Sequence, residues 1–388
     1  MPVVGTPASP VRVAAARLTV GILSTYPPTA CGLATFSAAL AAGLVAKGAD
    51  VRVVGVVDAG EAHPGDVVAV LVNRSPASVA AAADVLNECD IVIVQHEYGV
   101  YGGADGDEVV DLLGALRVPA IVIAHTVLVE PTRHQRQVLV DVASLADRVV
   151  VMSDAARTRL CAGFAVDPAK VSTIPHGARV AGARPPARRW ARTTMLTAGL
   201  VGPGKGIERV IDAMPRLRDL AARPRYVVAG RTHPKVLAHE GESYRNARIE
   251  QAWRRGVAAS VTFDASYRDV PSHTALLQSA TAVVLPYDSR EQATSGVLVD
   301  AIAAGTPVVA TAFPHAVEML ESGAGIVVDH DDPDELVYAL RRLLGDERCA
   351  AGMAAEAARI APTLGWPVVA GAYLELAANV VEARRVFV

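Results

Sequence analysis

A glycine-rich segment, GLVGPGKG over residues 199–206, combines backbone freedom with a positive charge. It follows an apolar run and precedes a helical pattern, so Lys205 and neighbouring amides are expected at a helix amino terminus. Such a terminus favours anions, and glycines such as Gly204 let a ligand approach the backbone. The segment therefore predicts a pyrophosphate site; the alternative is a turn whose lysine is merely exposed. Gly206 replaces the hydroxyl that a nucleoside triphosphatase loop needs for magnesium, which argues against that class.

A second polar segment, YDSREQATSGVLVDAIAAG, covers residues 287–305 and enters a predicted helix near its middle. Its candidate ligand-binding residues are Glu291, Gln292, Ser295, Gly296 and Asp300. Hydroxyls and amides at a helix start suit phosphate, and carboxylates and amides hydrogen-bond well to sugar hydroxyls. The segment predicts a site for a hydroxyl-rich ligand. The alternative is that Ser295 caps the helix with nothing bound.

Histidines follow three apolar runs of the first half. His125 ends one predicted strand, and His96 with Glu97 ends the strand before it. An imidazole at such a place could donate to a sugar hydroxyl or stabilise developing charge, although a structural histidine is the alternative. For His96 and Glu97 the alternative is a network that supports the loop. His176 precedes a Pro- and Gly-rich stretch, where a hinge role is as plausible as ligand contact.

Short runs rich in β-branched residues predict buried parallel strands, separated by Ala- and Leu-rich helical segments. In the first half these runs are Leu18–Leu23, Val51–Val57, Ile91–Val94, Ala120–Ala124 and Arg148–Met152. In the second half they are Thr194–Ala198, Tyr226–Ala229, Val261–Phe263, Ala282–Leu285, Pro307–Ala310 and Gly325–Val328. This alternation predicts an α/β protein with two Rossmann-like domains facing across a cleft, where ligands bind at the carboxyl ends of the strands.

The alternation pauses once, in a stretch rich in Pro, Gly and Arg. We therefore predict a first domain over residues 1–178, a linker over 179–194 and a second domain over 195–365. Residues 366–388 are predicted to form a long helix that crosses back to the first domain.

Composition excludes several classes of protein. The 388 residues are 52% hydrophobic and 20% charged, so the chain can bury a large core and is not disordered. A net charge of −3 argues against nucleic-acid binding through a basic surface. Four cysteines without CxxC spacing argue against a zinc knuckle and fit a reducing cytosol. No cluster with metal-ligand spacing is visible, so neither a metal nor another cofactor is expected.

The segments GPGKGIERVIDA and PYDSREQATSGVLVDAIAAGTPVVAT, within two Rossmann-like halves, resemble the retaining glycosyltransferases of family 4, which have the GT-B fold. The segments STYPPTACGLATFSAAL and QHEYGVYGG resemble the same family. The resemblance covers nearly the whole chain. It implies a nucleoside-diphosphate sugar as donor, an acceptor hydroxyl bound by the first half, and no divalent ion.

The resemblance assigns roles to individual residues. Gly32 would approach the donor diphosphate or the acceptor, Lys205 would bind the diphosphate, and Asp300 would hold the ribose hydroxyls. His125 would lie beside the reacting sugar. The position of His96 and Glu97, at the end of the preceding strand, separately predicts the acceptor side of the cleft. The first acid of the family's paired acids falls on Gln292, with Glu291 just before it.

Two positions depart from the family's pattern. Gln292 is an amide where the family has a carboxylate, so it can hydrogen-bond but carries no charge. Leu200 stands where many members have an arginine for the diphosphate, and Arg231 in the next loop could restore that charge.

The function predicted on this basis is transfer of a hexose with retention, with mannose from GDP-mannose ahead of glucose from UDP-glucose. The acceptor would be a saccharide or a glycolipid. Because the sequence shows only weak targeting signals, the protein is expected in the cytoplasm or at the inner face of the membrane. One alternative is a nucleotide-sugar-binding homologue without turnover. An NAD-dependent dehydrogenase is less favoured, because the first strand is not followed by GxGxxG.

Overall fold

The first half is built around a parallel sheet of seven strands. The structure is a computed structural model that describes residues 17–29, 31–60, 65–182, 193–266 and 268–386. The strands of the first sheet are β1 (Thr19–Ser24), β2 (Asp50–Val57), β3 (Ala69–Val72), β4 (Ile91–His96), β5 (Ala120–Ala124), β6 (Arg148–Val151) and β7 (Val171–Thr173). They lie in the order β3-β2-β1-β4-β5-β6-β7.

The second half repeats this plan with six parallel strands. They are β8 (Thr194–Ala198), β9 (Arg225–Ala229), β10 (Val261–Asp264), β11 (Ala282–Leu285), β12 (Val308–Thr311) and β13 (Gly325–Val328). Their order is β10-β9-β8-β11-β12-β13. In each sheet the chain winds outward from its first strand and then returns to the other side of that strand. The crevice between β1 and β4, and that between β8 and β11, is where such sheets bind ligands. The two predicted Rossmann-like domains are confirmed.

Helices cover both sheets. Their bounds are α1 (Gly32–Ala46), α2 (Pro76–Leu86), α3 (Glu108–Ala115), α4 (Arg133–Leu145), α5 (Asp154–Gly163), α6 (Ile207–Ala213), α7 (Pro234–Glu240), α8 (Ser243–Arg254), α9 (Val270–Ser279), α10 (Gly296–Ala303), α11 (Pro314–Leu320), α12 (Pro333–Gly345), α13 (Glu347–Ile360) and α14 (Trp366–Val386). Helix α1 begins at Gly32. The Cys31 side chain caps it by accepting from the Ala34 amide, which places Gly32 in its first turn.

All eleven predicted strands are present, each within two residues of its predicted bounds. Strands β3 and β7 were not predicted. They have four and three residues and form the two edges of the first sheet, so neither carries a long apolar run.

Helix α14 packs on the first sheet, although the chain has already completed the second. Its buried residues Tyr373 and Ala377 join Leu40 of α1 and Ile93 of β4 in one apolar cluster. Most of the predicted linker, residues 183–192, lies outside the described residues, and its last residue, Thr194, belongs to β8. The domain boundaries themselves stay predictions. Within the described ranges, no helix is both long enough and apolar enough to cross a bilayer.

Candidate active site

A cavity of about 1580 Å³ lies between the two halves, at the carboxyl ends of strands from both sheets. It brings together most of the residues that sequence analysis singled out. Those that line it are Gly32, His125, Lys205, Arg231, Gln292, Ser295, Gly296 and Asp300. Because these residues come from five separate segments of the chain, the cavity is a product of the fold rather than of one motif.

Four predicted site residues do not line this cavity. They are His96, Glu97, Gly204 and Glu291. Glu291 is exposed, while Gly204 lies in the same loop as Lys205. His96 is buried, and neither of its ring nitrogens has a hydrogen-bond partner among the described residues. The structure therefore gives Gln292, and not Glu291, the place inside the cavity.

The glycine-rich loop is tied to the segment that follows β11. The Asp288 amide donates to the Gly204 carbonyl oxygen over 3.0 Å. The Lys205 Nζ lies 4.4 Å from the centroid of the Tyr287 ring, a distance at which cation and ring attract each other. These contacts hold the Lys205 ammonium group at the wall of the cavity, where it can bind an anionic ligand.

Gly206 makes this loop possible. Its φ is +61°, and a Cβ there would lie 1.7 Å from the Pro286 carbonyl oxygen. We expect Gly206→Ala to lower the free energy of unfolding by about 2–4 kcal/mol, measured by denaturant titration. Gly204 also has a positive φ, but a Cβ there meets no atom within 4 Å. Gly204→Ala is the matched control and should cost about 1–2 kcal/mol. Equal losses in the two variants would contradict the role of the Pro286 contact.

The start of α10 forms the floor of the cavity. The Ser295 hydroxyl caps the helix by accepting from the Leu298 amide over 3.4 Å, so the capping alternative describes a real contact. The Ser295 amide donates to His315 Nδ1 over 2.8 Å. Ser295 and Gly296 nevertheless line the cavity, so capping and ligand contact are compatible here. The positive end of the α10 dipole therefore faces the space in which a diphosphate would lie.

Asp300 lies one turn into α10. Burial raises the pKa of its carboxyl group to about 7. The carboxylate lies 3.7 Å from His273 Nε2, and a third of the Asp300 side chain (33%) stays accessible from the cavity. Burial also lowers the pKa of His273, with the nearby Arg268 adding to the shift. Both groups therefore tend towards their neutral forms until a ligand supplies hydroxyl donors.

We expect Asp300 to make binding dependent on pH. UDP-glucose, whose two phosphates each keep one charge over this range, should bind more tightly as the pH rises through about 7, because the ionised carboxylate accepts hydroxyl hydrogen bonds. The free energy of unfolding of the ligand-free protein should fall as the pH rises from about 4 to about 7. Over this range the Asp300 carboxyl group keeps its proton in the folded protein but loses it in the unfolded chain. Asp300→Asn should remove both effects. Calorimetric titration and thermal melts from pH 5 to pH 8 measure them, and an unchanged pH profile in the variant would contradict this role.

His125 is held as a neutral group. Its Nε2 lies 2.6 Å from the Gln95 Oε1 oxygen, so this nitrogen carries the proton and Nδ1 is left as an acceptor. Burial, aided by His176 and His96, lowers the pKa of His125 to about 3. The ring packs edge-on against Phe36 at 5.0 Å between centroids. The arrangement suits hydrogen bonding to a hydroxyl rather than proton donation at neutral pH.

His96 and Glu97 lie behind this histidine. The His125 amide donates to the His96 carbonyl oxygen over 3.0 Å, and burial lowers the pKa of His96 to about 4. Burial raises the pKa of Glu97, whose carboxylate accepts from the Thr126 hydroxyl. These contacts agree with the loop-supporting alternative, and an acceptor role for the pair stays a prediction.

His176 is a cavity residue for which sequence analysis could not choose between hinge and ligand contact. It lines the cavity, and its Nδ1 donates to the Gly177 carbonyl oxygen over 2.8 Å. Its Nε2 faces the start of α10, 3.1 Å from where a Cβ of Gly296 would stand. Burial lowers the pKa of His176 to about 4. The signal that could have decided this is the three-residue strand β7, which ends shortly before His176. With β7 predicted, His176 would have been expected near the carboxyl end of a strand, where ligands bind.

Other polar residues are divided between the cavity and its surroundings. Arg231 and Leu200 both line the cavity, in neighbouring loops joined by a hydrogen bond from the Val201 amide to the Arg231 carbonyl oxygen. His315, by contrast, is buried and supports the Ser295 amide. Within the ranges that the structure describes, no group of three or more His, Cys, Asp or Glu residues is arranged to hold a metal ion.

Two facing parallel sheets with a shared cavity at their carboxyl ends are the architecture of GT-B glycosyltransferases. The model described as "Glycosyltransferase Family 4" matches residues 30–181, and the model described as "Glycosyl transferases group 1" matches residues 192–346. The chain belongs to the family 4-like glycosyltransferases with the GT-B fold.

Individual relatives agree with this assignment. The chain is 31% identical to a D-inositol 3-phosphate glycosyltransferase of Kineococcus radiotolerans, over 63% of this chain and 59% of that protein. It is 28% identical to that of Rhodococcus opacus, over 60% of this chain and 53% of that protein. The chain thus spans between half and three fifths of the length of these curated relatives.

Solved structures share the fold. A glycosyltransferase from Rickettsia africae ESF-5 has a TM-score of 0.74 at 13% identity, covering 94% of this chain and 99% of that chain. Anabaena Alr3699/HepE in complex with UDP has a TM-score of 0.74 at 18% identity, covering 93% and 100%. The same protein with UDP-glucose has a TM-score of 0.70 at 17% identity, covering 94% and 100%.

Proposed function

We propose that this protein transfers a hexose, with retention of anomeric configuration, from a nucleoside-diphosphate sugar to a hydroxyl group of an acceptor. One observation carries the proposal. Lys205, the start of α10 and Asp300 line one cavity, and Gly32 and His125 line it from the other half. A cation, a helix amino terminus and a carboxylate in one wall match a diphosphate joined to a ribose.

The donor is assigned to the second half. Lys205, Arg231 and the amides at Ser295 and Gly296 bind the diphosphate, and the Asp300 carboxylate accepts from the ribose hydroxyls. Gln292 contacts the sugar through Oε1, because its Nε2 donates to the Thr294 carbonyl oxygen over 3.0 Å. The resemblance alone favoured GDP-mannose, but the solved neighbours with UDP and UDP-glucose support testing UDP-glucose first.

In the reaction, the bond between the anomeric carbon and the diphosphate oxygen breaks as the sugar gains oxocarbenium character. The acceptor oxygen forms its bond to the same face, and its proton passes to the departing diphosphate. Lys205, Arg231 and the α10 dipole stabilise the charge that develops on the leaving group, without a divalent ion. His125, through its Nδ1, accepts from a sugar hydroxyl and aligns the ring.

The acceptor is assigned to the first half. Cavity-lining residues in the described part of that half, up to Ala178, include no lysine or arginine, and Arg179 lines the cavity directly after them. This wall suits a neutral acceptor, a saccharide or a glycolipid, better than a phosphorylated one. The curated relatives nevertheless act on D-inositol 3-phosphate, so that compound belongs in the acceptor panel. A glycolipid acceptor would place the protein at the cytoplasmic face of a membrane.

A binding panel tests the donor assignment. UDP, GDP and ADP, with UDP-glucose and GDP-mannose, are titrated while thermal stability is followed. The matching nucleotide should stabilise the fold by about 2–4 kcal/mol at 100 to 1,000 times its dissociation constant. Failure of every nucleotide to stabilise the protein would overturn the proposal.

Turnover separates the enzyme from a binding protein that keeps only the fold. The enzyme should release nucleoside diphosphate slowly without an acceptor and faster with one, and NMR should show a product with the donor's anomeric configuration. Added EDTA should leave the rate unchanged. Binding with no turnover would favour the nucleotide-sugar-binding alternative.

A further inference from the structure

Arg159, on α5 of the first half, joins two loops that approach the cavity from opposite halves. Its Nη1 donates to the Val127 carbonyl oxygen and to the Glu291 carbonyl oxygen, each over 2.8 Å. One guanidinium nitrogen carries two hydrogens, so it can make both bonds at once. Val127 lies two residues beyond His125, and Glu291 directly precedes Gln292. The bridge therefore connects the loops that carry the two proposed sugar contacts.

Ser153, the residue that caps α5, makes a second bond to the same loop. Its hydroxyl donates to the Ala293 carbonyl oxygen over 2.6 Å and is buried. Gln292 thus lies between two residues whose carbonyl groups are held by α5 of the other half. These two bonds fix the backbone on both sides of the Gln292 side chain.

The carbonyl groups of Gln292 and Thr294 are also engaged. The Gln292 carbonyl oxygen accepts from the His315 amide over 3.3 Å, and the Thr294 carbonyl oxygen accepts from Gln292 Nε2 over 3.0 Å. Four consecutive carbonyl groups, residues 291–294, are therefore satisfied. A buried carbonyl group without a partner costs free energy, so these bonds favour the observed arrangement of residues 291–294. Two of the four bonds come from across the cleft.

Glu318, on α11 of the second half, binds the amino terminus of α5 in the first half. Its two carboxylate oxygens accept from the amides of Asp154 and Ala155, at 3.0 and 3.1 Å. A carboxylate at a helix amino terminus is stabilised by the helix dipole. Glu318 is thus engaged with the first half and is not among the residues that line the cavity. Helix α5 is the element through which the first half holds this part of the second.

We propose that Arg159 is a positioning residue, which sets the sugar contact of Gln292 relative to His125 by bridging their two loops. The inference rests on the proposed function, because it needs a donor sugar between these side chains. Nucleotide binding through Lys205 and Asp300, with Gly32 close to the diphosphate, does not need the bridge, because none of these residues is bonded to Arg159. The contact between Gln292 and the donor sugar does need the bridge. The donor sugar is therefore held in place only when α5 is bonded to residues 291–293.

Calorimetric titration of paired ligands tests the proposal. UDP and UDP-glucose, and in parallel GDP and GDP-mannose, are titrated into wild type and Arg159→Ala. The variant should bind the nucleoside diphosphate within about twofold of wild type and the matching nucleotide sugar about tenfold more weakly, as expected for one lost, well-placed hydrogen bond. Arg159→Lys, which keeps a donor, should recover part of the loss. Arg157→Ala, an exposed arginine of the same helix, is the matched control.

A double-mutant cycle asks whether Arg159 acts through Gln292. In a Gln292→Ala background, adding Arg159→Ala should change nucleotide-sugar affinity by less than about twofold. Additive losses would overturn the proposal, as would equal weakening of diphosphate and nucleotide sugar, or no weakening of either. If wild type binds no nucleotide at all, the proposed function fails and this inference with it, whereas normal wild-type binding with an unaffected variant overturns only the inference. Thermal melts show whether each variant is folded.

Discussion

Lys205→Met is expected to lower the rate of sugar transfer by about 100-fold or more, the loss that follows removal of one preorganised group facing a developing oxyanion. The lysine lies at the wall of the cavity, held over the Tyr287 ring. Its ammonium group should interact more strongly with the departing diphosphate than with the bound donor. The loss should therefore appear mainly in kcat, with a smaller rise in KM.

The variant keeps the length of the lysine stem, so its melting temperature should stay close to that of wild type. Lys47→Met removes an exposed lysine at the end of α1 and should leave transfer unchanged. Lys205→Arg, which keeps the charge, should recover part of the rate. Full activity of Lys205→Met in a folded protein would remove the central assignment of the donor site.

Gly32→Val is expected to weaken donor binding by more than about tenfold without destabilising the protein. A Cβ at Gly32 meets no atom within 4 Å, yet the residue lines the cavity. A larger side chain there would occupy space that the ligand needs. Because valine is a slightly better helix residue than glycine, the free energy of unfolding should stay equal or rise by a few tenths of a kcal/mol.

Gly114 provides the matched control for this substitution. It lies on the exposed face of α3, a Cβ there also meets no atom within 4 Å, and it does not line the cavity. Gly114→Val should therefore leave nucleotide affinity unchanged. Affinity is measured by calorimetric titration with the nucleotide that stabilises wild type, and equal affinities in the two glycine variants would contradict the position assigned to the donor.

Local sequence was sufficient for most of the framework. The sequence of a buried parallel strand is a short apolar run, and this pattern does not depend on which strands lie beside it in the sheet. All eleven predicted strands are therefore found close to their predicted bounds. The glycine-rich loop and the start of α10 could be predicted in the same way. The effects of their glycine, serine and lysine residues are local: glycine frees the backbone, serine caps the helix, and lysine supplies a charge within a few residues.

Neighbouring residues of similar chemistry could not be separated by sequence. Glu291 and Gln292 are adjacent and both polar, but only Gln292 lines the cavity. The difference arises because hydrogen bonds from Arg159, Ser153 and His315 determine how this loop is turned. Two of these partners are more than 130 residues away along the chain, on the other half of the protein.

The sequence by itself determined the parallel strands and helices, the polar segments that follow them and the family to which the chain belongs. These properties depend on interactions over a few residues and on motifs that can be read along the chain. Only the tertiary structure decided which polar side chains share the cavity, that Glu318 binds α5, and that burial raises the pKa of Asp300 to about 7. The physical reason is that solvent exclusion and cross-cleft hydrogen bonds exist only once the two halves have packed together.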